Sequence, residues 1–102
     1  MAKMILQINS HANISRSDLE KEFKGAAVPI ASVPGLDWKM FGIDAERSEA
    51  AGIYLFEDAE ALEAYLQGPI MDAMRSKPAF AGIEVKVFEV SEEATLMTRG
   101  PI

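Results

Sequence analysis

"LDWKMFGIDAERSEAAGIYLFE", Leu36 to Glu57, is the stretch whose reading decides the fold. Its first nine residues, Leu36–Asp44, alternate as a strand does: Leu36, Trp38 and Met40 on one face, Asp37, Lys39 and Phe41 on the other. "AERSE" is polar and short enough for a hairpin-like loop. "AGIYLFE" (Ala51–Glu57) is a third strand, apolar on both faces, which predicts a central position covered on both sides. Two neighbouring strands in mid-chain leave one strand and one helix to be found on either side.

Upstream, "KMILQINS" (Lys3–Ser10) reads as a strand with Met4, Leu6 and Ile8 on a core face. Ile5, Gln7, Asn9 and His11 fall on its other face, a mixture suited to a pocket wall. "SRSDLEKEFKGAAVPIAS" follows. Ser15 or Ser17 is the expected cap, and Leu19, Phe23, Ala26, Ala27 and Ile30 form an amphipathic stripe. Pro29 lacks the donor for the Gly25 carbonyl, so a kink or a helix end is expected there.

Downstream, Asp58 caps a second helix whose start is crowded with acids. Leu62, Tyr65, Leu66, Ile70, Ala73 and Met74 make its stripe, and Gly68-Pro69 divides it into two pieces. "GIEVKVFEV" (Gly82–Val90) is the fourth strand, and residues 91–102 form a tail without a strong pattern. The order β-α-β-β-α-β predicts an α+β, ferredoxin-like protomer: four antiparallel strands with the helices on one face. Ile5, Phe41 and Phe88 are the apolar residues expected on the sheet's uncovered face, so a homodimer packed sheet to sheet is expected.

Composition bounds the function. The 102 residues fit one domain, with the core in 3–90. The net charge of −6 and the scattered bases argue against nucleic acid and anionic membranes as partners. No cysteine is present, which excludes disulfides, thiolate nucleophiles and Cys-based metal sites. The single histidine cannot build a multi-histidine metal site. No stretch approaches the roughly 20 apolar residues of a membrane span, and no signal peptide is legible. A cytoplasmic protein is expected.

"PGLDWKMF", "AAGIYLFEDAEALEAYL" and "VKVFEV" together resemble the ydhR-type monooxygenases of the dimeric α/β-barrel superfamily. The similarity runs from about Met4 to Val90. It implies a dimer whose two sheets close into a barrel, with a cavity between sheet and helices in each subunit. It also implies kinship with small monooxygenases that oxidise aromatic compounds without metal, flavin or any other cofactor. Haem-degrading members of the superfamily bind iron through a helix histidine. The only histidine here falls on or after the first strand, so that chemistry is not expected.

An oxygenase of this kind must hold a flat, acidic aromatic substrate, accept its proton and stabilise its anion. His11 is the default base, with Asn9 and Tyr54 as polar partners. Trp38 is the wall on which a ring would stack, unless it simply fills the core. Gln7, Met40, Tyr65 and Met74 are further lining candidates, and Arg47 is placed to guard a cavity mouth. Each has a plainer reading: a dimer contact for Gln7 and Asn9, a solvated turn for His11 and Arg47, core filling for the methionines. Two other functions fit the same fold, a non-catalytic small-molecule binding or stress-response module and an isomerase or lyase.

Overall fold

The computed structural model describes residues 2–102. Strand β1 (Met4–Ala12) leads to helix α1 (Arg16–Ile30), then to strands β2 (Leu36–Asp44) and β3 (Glu49–Phe56). Helices α2 (Ala59–Leu66) and α3 (Pro69–Ser76) precede strand β4 (Phe80–Glu89) and a short helix α4 (Glu92–Met97). The strands form one antiparallel sheet in the order β2-β3-β1-β4. This is the ferredoxin-like arrangement, with α1, α2 and α3 on one face.

Local chemistry sets the helix boundaries. The Ser15 hydroxyl accepts from the Asp18 amide at 3.1 Å, and the Asp58 carboxylate accepts from the Ala61 amide at 2.8 Å. Gly68 stands at the N-cap of α3 with Pro69 in its first turn, so the second helical region is in two pieces. Pro29 does not end α1 early. It sits in the last turn, and the helix runs one residue further to Ile30. Residues 91–102 are more ordered than their pattern suggested: they include helix α4, with Ser91 at its N-cap position but making no side-chain cap bond, and Glu92 and Glu93 in the first turn suit the positive end of the helix dipole.

The core lies between sheet and helices. Leu6 and Ile8 of β1 and Tyr54 and Phe56 of β3 pack against Ile30, Leu62, Tyr65 and Met71. A smaller cluster of Ala12, Leu19 and Ala50 closes the far end. β3 lies between β2 and β1, as its apolar sequence demands. Its second face is only partly covered: Leu55 is fully buried, while Ile53 is exposed.

One feature of β2 departs from strict alternation. The register against β3 shifts between Leu36 and Trp38, so Leu36 pairs with Phe56 and Trp38 with its neighbour Leu55. Asp37 is the extra residue of a bulge, and its carboxylate bonds the Lys3 ammonium at 2.6 Å. The consequence for every later residue of β2 is a change of side. Lys39 pairs with Tyr54 and Phe41 with Gly52, on the helix-covered face. Trp38 and Met40, beside Leu55 and Ile53, face the other way. Leu36 therefore does not share a face with Trp38 and Met40, and Phe41 is not on the uncovered face. Ile5 and Phe88, paired with each other, are on it as expected.

Candidate active site

Between the helix-covered face of the sheet and helices α1 and α3 lies a cavity of about 420 Å³. Phe23, Phe41, Tyr54, Tyr65, Ile70 and Met74 supply most of its apolar wall. Glu22 and Lys77, also lining it, pair at 2.7 Å and neutralise each other.

Among the described residues, Lys39 is the one remaining charge on this wall. The bulge at Asp37 turns it inward, and Gly52 across the strand pair makes room for its stem. A Cβ at Gly52 would come within 2.9 Å of the Lys39 Cε and 3.0 Å of the Tyr54 ring. The ammonium comes to rest 4.0 Å from the centroid of Phe41 and 4.5 Å from that of Tyr54. Burial without a facing carboxylate pushes the Lys39 pKa down to about 8. Near neutral pH this lysine exists as both ammonium and free amine, so it can take up or hold a proton.

The Tyr54 and Tyr65 hydroxyls lie 2.9 Å apart, and either serves as donor to the other. Their rings, with Phe56, form a tilted and stacked aromatic group. Burial raises both phenol pKa values, so the pair stays protonated and keeps one O–H free to donate. A base of tuned pKa, two phenols and a flat apolar wall thus share one cavity.

The sequence matches the model of the family described as "Putative mono-oxygenase ydhR" over residues 5–101. The chain belongs to the ydhR family. Solved structures resemble this ydhR-family chain in fold. SnoaB from Streptomyces nogalater, a cofactor-independent oxygenase, is 15% identical, with 88% of this chain and 94% of that one covered and a TM-score of 0.72. NE2512 from Nitrosomonas europaea, a protein of unknown function, is 20% identical, with 89% and 91% covered and a TM-score of 0.71. The heme-degrader MhuD from Mycobacterium tuberculosis is 22% identical, with 85% and 95% covered and a TM-score of 0.63. No curated protein matches the sequence significantly.

Within the ydhR-family chain the residues singled out from sequence divide between two faces. Tyr54, Tyr65 and Met74 line the cavity. Gln7, Asn9 and His11 project from the opposite face, paired with Ile53, Ala51 and Glu49 of β3. Trp38 and Met40 share that face. The Trp38 indole N–H donates to the Pro101 carbonyl at 2.8 Å, tying the chain end to β2. Arg47 lies in the β2–β3 turn, exposed, with Asp44 at 3.9 Å. Asp44 also accepts from the Arg47 amide at 3.1 Å, which holds the turn. No helix of the chain, among the described residues, is long and apolar enough to cross a membrane.

Sequence reasoning missed Lys39, Phe41 and Phe23 as cavity residues. The signal for Lys39 was its placement two residues before Phe41 on a strand face. Its meaning depended on which face the helices cover, and the bulge decides that.

Proposed function

We propose that this ydhR-family chain is a cytoplasmic, cofactor-independent monooxygenase for a flat, acidic aromatic molecule held in the cavity. The observation that carries the reading is Lys39: a lone, partly deprotonated lysine against two aromatic rings, beside a pair of hydrogen-bonded phenols. Tyr54, Tyr65 and Met74 keep the roles their residue types suggested, and Lys39 takes the place of His11 as base.

The chemistry follows from these groups. The free amine of Lys39 takes a proton from an acidic CH₂ of the substrate, such as one flanked by aromatic rings. The ammonium so formed stays beside the carbanion, and the phenol pair donates to the substrate oxygen over which its charge spreads. The carbanion passes electrons to O₂, and carbon and oxygen join as a peroxide anion. Loss of the second C–H proton breaks the O–O bond, leaving a carbonyl, and the Lys39 proton completes a water molecule. Overall, CH₂ and O₂ give C=O and H₂O: carbon loses four electrons and O₂ gains four. The apolar walls keep bulk water from the peroxide.

A second copy of the chain fits the reading. The sheet face away from α1, α2 and α3 exposes Met40, Ile53 and Phe88, and Phe88 is half exposed. A sheet-to-sheet homodimer of single-domain protomers removes this surface from water. Sedimentation is expected to show a dimer for the wild type and a monomer for Phe88→Lys; a wild-type monomer at micromolar concentration overturns the dimer.

Oxygen uptake with a panel of anthrones, phenols and quinols tests the enzyme. Uptake is expected with at least one member, falling about a hundredfold in Lys39→Met. No uptake and no binding across the panel rejects the reading. Binding without turnover reassigns the cavity to a carrier or sensor, and turnover under nitrogen reassigns it to an isomerase or lyase.

A further inference from the structure

The oxidation above uses Lys39 only as a proton acceptor, yet a neutral amine is also a nucleophile. We propose that Lys39 condenses with an aldehyde or ketone group of an aromatic ligand in the cavity to form a covalent imine.

Four features of the structure favour this. Lys39 belongs to none of the ion pairs among the described residues, whereas Lys3 is held by Asp37 and Lys77 by Glu22. Its amine is held over the rings of Phe41 and Tyr54, where a flat aromatic carbonyl compound would lie. Burial leaves a substantial fraction of the amine unprotonated near pH 8. The Tyr54–Tyr65 pair supplies a proton donor in the same cavity.

The step balances without a redox partner. The nitrogen lone pair attacks the carbonyl carbon, and a proton moves from nitrogen to oxygen to give a carbinolamine. A phenol protonates the departing hydroxyl, water leaves, and the nitrogen loses its last proton to the phenolate as the C=N bond forms. No O₂ is consumed, so this activity stands or falls independently of the oxidation.

Trapping tests it on the full chain. The protein is incubated at pH 8 with limiting 4-hydroxybenzaldehyde and sodium cyanoborohydride, and the reduced adducts are mapped by peptide mass spectrometry. Lys39 is expected to be labelled at least about tenfold faster than Lys3, Lys21, Lys24, Lys77 or Lys86, since an ordinary lysine is almost wholly protonated at that pH. Excess 4-methylphenol, which offers the same ring without a carbonyl, is expected to compete for the cavity and suppress labelling at Lys39 alone. Labelling spread evenly over the lysines, or slowest at Lys39, overturns the proposal. So does Lys39 labelling that 4-methylphenol leaves untouched, since capture would then not occur in the cavity. Because the map is read on the wild-type chain, no variant has to fold for the test to count.

Discussion

Lys39 and Tyr54 are partners in the β2–β3 ladder, and the lysine bends back so that its ammonium lies 4.5 Å from the tyrosine's ring centroid. A cation on a core-facing position is costly unless something offsets its desolvation. Two rings offset part of the cost, and the remainder appears as a lowered pKa.

That cost is measurable as a pH dependence of stability. The folded pKa of Lys39, about 8, lies below its ordinary value of 10.5, so between these the unfolded chain binds more protons. Stability from this group therefore rises with pH across that window, and the penalty is fully present below pH 8. Lys39→Met removes it and is expected to stabilise the protein by about 1–3 kcal/mol at pH 7, less than the full shift implies because the cation–π contacts are lost as well. The gain should shrink as pH approaches 10. Urea unfolding of both proteins at pH 7 and pH 9.5 checks it. The two buried phenols act in the opposite sense above pH 10, where unfolded tyrosines ionise first, but they are common to both proteins and cancel in the difference.

Gly52→Ala should damage the site while keeping the fold. Its methyl would press on the Lys39 stem and the edge of the Tyr54 ring. The flexible stem can move, so the expected loss of stability is about 1–2 kcal/mol. Displacing the amine should cost more in function: oxygen uptake and imine trapping are both expected to fall about tenfold or more.

The phenol pair should behave as one unit. Tyr54→Phe or Tyr65→Phe alone leaves a buried hydroxyl without its partner and is expected to cost about 1–2 kcal/mol. The double variant should cost clearly less than the sum of the two. A coupling energy of about 1 kcal/mol in a double-mutant cycle is the expected result.

Trp38→Phe should act on the chain end. It removes the donor that holds the Pro101 carbonyl, at an expected cost of about 0.5–1.5 kcal/mol. Amide hydrogen exchange should accelerate in residues 92–102, with little change in the cavity residues of β3.

Much of this architecture was legible in the sequence because periodicity carries it. Alternation identified β1, β2 and β4, a short continuous apolar run identified β3, and the three- and four-residue stripes identified α1, α2 and α3, whereas α4 left no such stripe. Ser15, Asp58 and Gly68-Pro69 announced helix boundaries through their own chemistry. The face assignment in β2 was not legible. Alternation is a parity count, and the single extra residue at Asp37 inverts it for everything that follows. Trp38 and Met40 consequently exchanged sides with Lys39 and Phe41. Asp37, a charged residue next to a Pro-Gly turn, was the available hint, but its partner Lys3 lies far away in sequence. In β1 the parity count succeeded, and it was the mixed polar face that faced away from the cavity.

The tie between Trp38 and Pro101 also determines what light the protein emits and what that light reports. The chain's sole indole sits across the sheet from the cavity, bonded to the carboxy-terminal segment. Its emission is therefore a gauge of tail docking, reddening as the segment lifts and water reaches the ring. A red shift read at this fluorophore would register ligands that compete with the tail. A red-edge shift without loss of fold would identify the undocked state directly, in a chain that needs no added dye.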